Sequence, residues 1–171
     1  DTFSQVLNKE TDTIYGNQGI DTIEYSAEKN DGSLMTSASF GIKADLTKNI
    51  VIKGIYGEDG NDNFIDQLDG IENITGTNIK DSIIGDFNSN VLVGNDGDDH
   101  LEGLAGDDEL WVGDGNDTAI GGAGSDRFVM TLDWIHDYIY GGYDFTYSSA
   151  NEDNANNTID YSKDESKNLA I

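Results

Sequence analysis

The residues of this chain best suited to chemistry are acidic side chains that recur every nine positions. From Gly76 to Val129 the sequence divides without a gap into GTNIKDSII, GDFNSNVLV, GNDGDDHLE, GLAGDDELW, VGDGNDTAI and GGAGSDRFV. The sixth position reads Asp81, Asn90, Asp99, Asp108, Asp117 and Asp126, and the eighth reads Ile83, Leu92, Leu101, Leu110, Ala119 and Phe128. One column is polar and the other apolar, in fixed phase, so the carboxylates are periodic in space as well as in sequence. Periodic carboxylates among glycines offer hard oxygen donors, from side chains and from backbone carbonyls that no Cβ obstructs.

Calcium suits that donor set, since it takes about 6 to 8 oxygens in flexible geometry. A groove between stacked loops supplies carbonyls from both and a carboxylate from each. The expected ligands at the sixth position are Asp21, Asp62, Asp81, Asp99, Asp108, Asp117 and Asp126. Gly94, Gly103 and Gly121 serve at the first position, Asp96, Ala105, Asp114 and Ala123 at the third, and Gly97, Gly106, Gly115 and Gly124 at the fourth. Several ions are expected. Zinc is disfavoured by two histidines and no cysteine, and magnesium by a site made of flexible-loop carbonyls. Stacked carboxylates about 4.7 Å apart repel without a cation. Folding and binding are therefore expected to be coupled, with affinities on the order of 10⁻⁴ to 10⁻³ M.

Two elements must alternate to place these groups. Six Gly-, Asn- and Asp-rich residues turn the chain, and three form a short strand whose middle residue points inward. Two windows complete an 18-residue coil, and the expected fold is an all-β, calcium-stabilised parallel β-roll or β-solenoid. Loops 57–62, 76–81, 94–99 and 112–117 should stack on one edge, and 67–72, 85–90, 103–108 and 121–126 on the other. Upstream, QLDGIENIT at 67–75 keeps register, and GEDGNDNFI at 57–65 keeps it if Asp66 is a one-residue insertion. LNKETDTIY at 7–15 and GNQGIDTIE at 16–24 add two windows. One domain, 1–171, is expected. Its parts are repeats at 7–24 and 57–129, a β excursion at 25–56, an irregular aromatic-rich insertion at 130–156 and the start of a further unit at 157–171.

Composition narrows the function. Lys plus Arg number 9 against 34 Asp plus Glu, a formal charge of −25. That excess opposes compaction unless cations neutralise it, and it excludes nucleic acid and anionic lipid as partners. No apolar run reaches the roughly 20 residues of a membrane-spanning helix, and no membrane insertion is expected. Proline and cysteine are absent while Gly reaches 21, so Gly, Asn and Asp must make the turns. With no initiator Met at Asp1, the sequence reads as an excised piece of a longer chain.

Breaks in the repeat locate other work. Glu72 replaces Asp at 67–72, Asn90 and Asn88 alter 85–90, and 76–81 lacks Gly at its second and fourth positions, so those loops are expected to bind weakly or not at all. SLMTSASFGIKADLTKNIVI suggests one or two longer strands leaving the roll. Val93, Trp111 and Val129 form an apolar stripe at the outward ninth position, to be covered by the excursion, the C-terminal tail or a partner. After Met130, Trp134, Tyr138, Tyr140, Tyr143 and Tyr147 are candidate ligand contacts, because Tyr supplies rigid amphipathic area; capping the open end of the roll is the alternative. DYIYGG and NTIDYS echo DTIYGN and DTIEYS, as if a second unit begins. His100 and His136 have no evident nucleophile beside them, so no enzyme is expected.

The windows resemble GGxGxDxUx, the nonapeptide of the RTX family, and GGAGSDRFV matches it at every fixed position. The run IDQLDGIENITGT, followed by DSIIGD and SNVLVGNDGDDHLEG, is similar to segments that enter the repeats of long RTX adhesins. That resemblance implies a calcium-dependent module of a secreted, type I-exported protein displayed on a Gram-negative cell and engaged in adhesion or biofilm formation. It implies a monomeric module binding a peptide or protein ligand, or a glycan, on a host or neighbouring cell, with a rim calcium accepting a ligand carboxylate. The alternatives are a purely structural folding and secretion block, and an accessory module of a secreted toxin or polysaccharide-modifying enzyme.

Overall fold

The computed structural model describes residues 1–6, 10–26, 38–55, 64–131, 136–141 and 158–160. The expected ligand Asp62 and the aromatics Trp134, Tyr143 and Tyr147 lie outside the described residues, as do loop 57–62, much of the 130–156 insertion and everything after residue 160.

The short apolar triplets pair with their counterparts one coil away. β1 (Thr2–Val6), β3 (Thr22–Ser26), β7 (Asn73–Thr75), β9 (Val91–Val93), β11 (Glu109–Gly113), β13 (Arg127–Met130) and β15 (Thr158–Asp160) form one parallel seven-stranded sheet in that order. The facing sheet has eight strands. In order they are β14 (Tyr138–Tyr140), β12 (Thr118–Ala123), β10 (His100–Ala105), β8 (Ser82–Ile84), β4 (Ala38–Asp45), β5 (Ile50–Ile55), β6 (Phe64–Asp69) and β2 (Thr13–Tyr15). Successive windows thus alternate between sheets in a β-roll.

The core is the eighth-position column. Ile83, Leu92, Leu101, Leu110 and Ala119 are fully buried and Phe128 nearly so, joined upstream by Ile14, Ile23 and Ile74. Register explains the contact: Leu101 pairs with Ile83 and Ala119, and Leu110 with Leu92 and Phe128. Each fully buried Leu or Ile contributes roughly 1.5–3 kcal/mol relative to exposure. The roll is accordingly thin, one side-chain layer from each sheet. Beyond Val129, Asp117 N donates to Asp137 Oδ1 (3.1 Å) and Tyr138 pairs with Thr118, so the roll resumes after the insertion starts. Thr158–Asp160 pairs with Arg127–Val129, in line with the NTIDYS echo.

Three expectations are corrected. The 25–56 stretch does supply longer strands, but they do not leave the roll: β4 and β5 form an antiparallel hairpin inserted in the eight-stranded sheet, β5 pairing antiparallel with β6 and β4 parallel with β8. Hydrogen-bonding edges of β6 and β8 that would otherwise be bridged by one coil are filled by two more strands. Asp66 is not an insertion beside an inward Phe64. Leu68 pairs with Ile14, so Leu68 holds the eighth-position slot and Asp66 the sixth, while Phe64 is only half-buried. Residues 67–69 therefore belong to a strand rather than to an edge loop, and the turn into β7 is reduced to 70–72, with Gly70 in left-handed backbone (φ 68°). Finally, the hairpin lies in the sheet opposite Val93, Trp111 and Val129, so it does not cover that stripe.

Candidate metal centres

Loop shape follows residue type at two positions. The second residue has positive φ in Asn17 (71°), Asn95 (71°), Leu104 (81°), Gly113 (96°) and Gly122 (105°), and the fourth in Gly19, Gly97, Gly106, Gly115 and Gly124 (116° to 151°). Left-handed backbone favours Gly and Asn, which occupy nine of those ten positions. Loops 16–21, 94–99, 103–108, 112–117 and 121–126 therefore share one conformation. In 76–81 and 85–90, with Ile79 and Asn88 at the fourth position, no residue has positive φ.

The turned loops stack through their sixth-position carboxylates. Asp81 N donates to Asp99 Oδ1 (2.7 Å) and Asp99 N to Asp117 Oδ1 (2.7 Å) on one edge; Asn90 N donates to Asp108 Oδ1 (2.8 Å) and Asp108 N to Asp126 Oδ1 (3.0 Å) on the other. From residue 76 onward the loops stack on the two edges that the period predicts. One oxygen of each carboxylate thus fixes the coil spacing, at about 1.5–3 kcal/mol for a hydrogen bond to a charged group.

The other oxygen is where the chemistry lies. Oδ2 of Asp21, Asp99, Asp108, Asp117 and Asp126 is buried and accepts no hydrogen bond. These five belong to the five loops with left-handed second and fourth residues. In the deviant loops the equivalent oxygen is satisfied by protein: Thr77 N (2.6 Å) and Thr77 Oγ1 (3.2 Å) donate to Asp81 Oδ2, and Asp86 N donates to Asn90 Oδ1 (2.8 Å). Asn90 Nδ2 in turn donates to Glu72 O (2.7 Å). Expected ligand Asp81 is thereby corrected, because its carboxylate is already spoken for by Thr77 and Ile42 N.

Carbonyls face the same grooves. An added Cβ at Gly115 would stand 1.9 Å from Gly97 O, one at Gly124 would stand 1.9 Å from Gly106 O, and one at Gly103 would lie 2.2 Å from Asp108 Oδ2 and 2.6 Å from Gly121 O. Backbone oxygens and a carboxylate oxygen therefore converge where only glycine leaves room. Two grooves are bounded by turned loops on both sides, 94–99 with 112–117 and 103–108 with 121–126. Among the described residues no three His, Asp or Glu side chains converge, so any ion here is held largely by carbonyls, which selects a hard cation.

Burial drives the ionisation. Asp99 is pushed up to about 8 and Asp108 to about 7, first by desolvation and then by neighbouring carboxylates, Asp81 and Asp117 for the former and Asp126, Asp86 and Asp107 for the latter. Hydrogen bonds from Asp81 N and Asn90 N oppose those rises. Asp81 reaches only about 6, because Ile42 N and Thr77 offset its desolvation. To be fully ionised at neutral pH, Asp99 and Asp108 need a counter-charge on the orphaned side.

Comparison with protein-family models matches residues 9–24, 75–110 and 93–128 to the RTX calcium-binding nonapeptide repeat, in four copies. Residues 9–24 and 75–128 carry RTX calcium-binding nonapeptide repeats. All five loops with an orphaned Oδ2 fall inside the matched RTX segments, and the hairpin falls outside them. RTX repeats bind calcium, and the residues present fit that ion: Gly94, Asp96, Gly97, Asp99, Asp114, Gly115 and Asp117 on one edge, Gly103, Ala105, Gly106, Asp108, Gly121, Ala123, Gly124 and Asp126 on the other. When bound, the ion supplies the positive charge those carboxylates lack. Asp96 and Asp114 pair as a short parallel bridge but are exposed. RTX repeats are typical of secreted proteins.

Sequence reasoning missed Thr77, whose place in an otherwise defective loop was its only signal. It also missed Lys53, Asp66 and Tyr25. The lysine shares parity with Val51 in the apolar run IVIKGI, and Asp66 reads along the chain as a residue surplus to the period. Of the aromatic candidates, Tyr138 and Tyr140 are described; both stand half-exposed on the outer face of β14, flanking Ile139.

Proposed function

We propose that this RTX roll is a calcium-dependent ligand-binding module of a secreted bacterial surface adhesin. One observation carries the reading. A cleft of about 320 Å³ opens between the outward stripe Val93, Trp111 and Val129 and the calcium loops, whose Asn95, Asp96 and Asp114 form its other wall. A wall made of calcium loops exists only when those loops are folded, so occupancy of the cleft is gated by the ion. Trp111 Nε1 donates to Glu109 Oε1 (2.5 Å) and Glu109 pairs with Arg127 (2.9 Å), which holds the indole ready at little entropic cost. The ligand is a peptide or protein segment whose carboxylate meets a rim calcium while its apolar part meets Trp111. Tyr138 and Tyr140, on the opposite sheet, offer a second contact surface. No catalytic role belongs to this reading; His100 is partly exposed, with Glu102 3.8 Å away.

Binding of a mixed pool of free-carboxylate peptides, with and without calcium, tests the reading by calorimetry against amidated counterparts. Trp111→Ala should abolish binding yet preserve the calcium-induced circular dichroism change. Equal binding of amidated peptides, or binding that survives both chelator and Trp111→Ala, would sink it. A structural folding and secretion block is favoured instead by the hairpin, since the main break in the repeat continues the sheet rather than building a pocket. On that reading no peptide binds although calcium folds the chain.

A further inference from the structure

Asp66 stands in the sixth-position slot, yet its surroundings differ from those of every other described member of that column. Asp12 N donates to Asp66 Oδ1 (2.9 Å), the same coil-to-coil hydrogen bond made at Asp99 and Asp108. Its second oxygen, orphaned in the calcium loops, accepts from Tyr25 OH (2.8 Å). The Lys53 ammonium lies 2.8 Å from Asp66 Oδ1 and 3.8 Å from Asp12 Oδ2. Lys53 and Asp66 side chains are both fully buried. The hairpin makes this possible: Val51 pairs with Asp66, and Lys53, two residues on, points to the same inward face.

A buried ammonium costs several kcal/mol unless it is paired and hydrogen-bonded. Here it lies between two carboxylates stacked one coil apart and offsets one of their two charges, an electrostatic task that falls to calcium elsewhere in the roll. Both oxygens of Asp66 are engaged, so it offers nothing to an incoming ion. The residues concerned, apart from Asp12, lie outside the segments matched by the RTX repeat.

We propose that Lys53 is a built-in counterion that replaces the metal at the first carboxylate stack, so that β2, β5, β6 and the Tyr25 end of β3 hold together without calcium. These strands then present preformed edges at β5 and β3, onto which β4 with β8 and β7 with β9 add, followed by the calcium-dependent coils after Gly94. Asp21, which keeps an orphaned Oδ2, belongs to a loop of this region where calcium still adds order. The inference does not depend on any ligand in the cleft.

Segment-resolved amide hydrogen exchange on the full chain in chelator tests it. Wild type should show protected amides within 13–15, 22–26, 50–53 and 64–69, while 91–130 exchanges freely; uniform exchange throughout would overturn the proposal. Lys53→Met should lower that protection on the order of 100-fold or more, whereas Lys48→Met, at an exposed pair with Asp45, should leave it unchanged. The double variant Lys53→Met with Asp66→Asn keeps the Asp12 hydrogen-bond acceptor and removes both charges. Recovery of at least about 10-fold in protection marks charge neutralisation as the role of Lys53. A double variant no better than the single would assign Lys53 to packing alone and refute the counterion. Should Lys53→Met fail to fold even in calcium, the wild-type exchange pattern and the double variant decide between these outcomes.

Discussion

Replacing Asp99 by Asn separates the two jobs of the sixth-position carboxylate. The amide keeps an oxygen for Asp81 N, now at 2.7 Å from Oδ1, and removes the charge from the buried, orphaned Oδ2. Without calcium that charge is a liability. Asp99 ionises near 3.8 ordinarily and at about 8 in the roll, so folding at pH 7 forces proton uptake. At 1.36 kcal/mol per unit, and allowing for solvent on the outer side of the loop, the penalty relieved is about 2–4 kcal/mol. With calcium the sign reverses, because the variant has lost an anionic ligand. Asn90, in the same column, shows that the roll accepts an amide there. The assay has two arms. In chelator, folding driven by an excluded osmolyte and followed by circular dichroism should need less osmolyte for Asp99→Asn than for wild type. In a calcium titration the variant should need more calcium, by on the order of 10-fold. A variant that loses stability in both arms would show that the carboxylate acts only as a structural hydrogen-bond acceptor, and the orphaned-oxygen reasoning would fail.

The same shifts set a pH dependence. The folded-state values of Asp81, Asp99 and Asp108 lie at about 6 to 8, above the ordinary 3.8. Between those limits the folded chain holds more protons than the unfolded one, so calcium-free stability is greatest in acid and is lost as pH rises toward 8; osmolyte-induced folding in chelator should be easier at pH 5 than at pH 8. Gly124→Ala puts a Cβ 1.9 Å from Gly106 O at φ 134° and should cost at least about 2 kcal/mol, read as a raised calcium midpoint. Leu104→Asn, at φ 81°, should instead stabilise by up to about 1 kcal/mol in calcium-saturated thermal melts. Thr77→Ala removes the hydroxyl from Asp81 and should cost about 1 kcal/mol with no change in the number of calcium ions bound, as counted by calorimetry.

Much of this molecule is legible along the chain. A nine-residue period needs no long-range information: Gly or Asn at the second and fourth positions sets the turn through local φ, and one apolar residue in each triplet sets the inward face. The five turned loops, the two sheets, the alternation of Asp81, Asp99 and Asp117 with Asp108 and Asp126 between edges, and calcium as the ion all follow from that local chemistry. Loss of Gly at Ile79 and Asn88 likewise marked the two loops whose sixth-position oxygens are satisfied by protein donors.

What only the tertiary structure decided is the region where the period stops. Strands β4 and β5 look alike whether they leave the roll or join it, because alternation reports a buried face without naming the partner that buries it. Register is equally undetermined there: the nine-residue frame puts Phe64 in the eighth position, and a frame displaced by four residues puts Leu68 there and Asp66 in the sixth. Pairing of Leu68 with Ile14 settles the choice, and with it the burial of Asp66 against Lys53 and Tyr25. Residues 25, 53 and 66 become neighbours only through strand order. A carboxylate that reads as one more calcium ligand, or as a surplus residue, therefore acquires its partner from the fold.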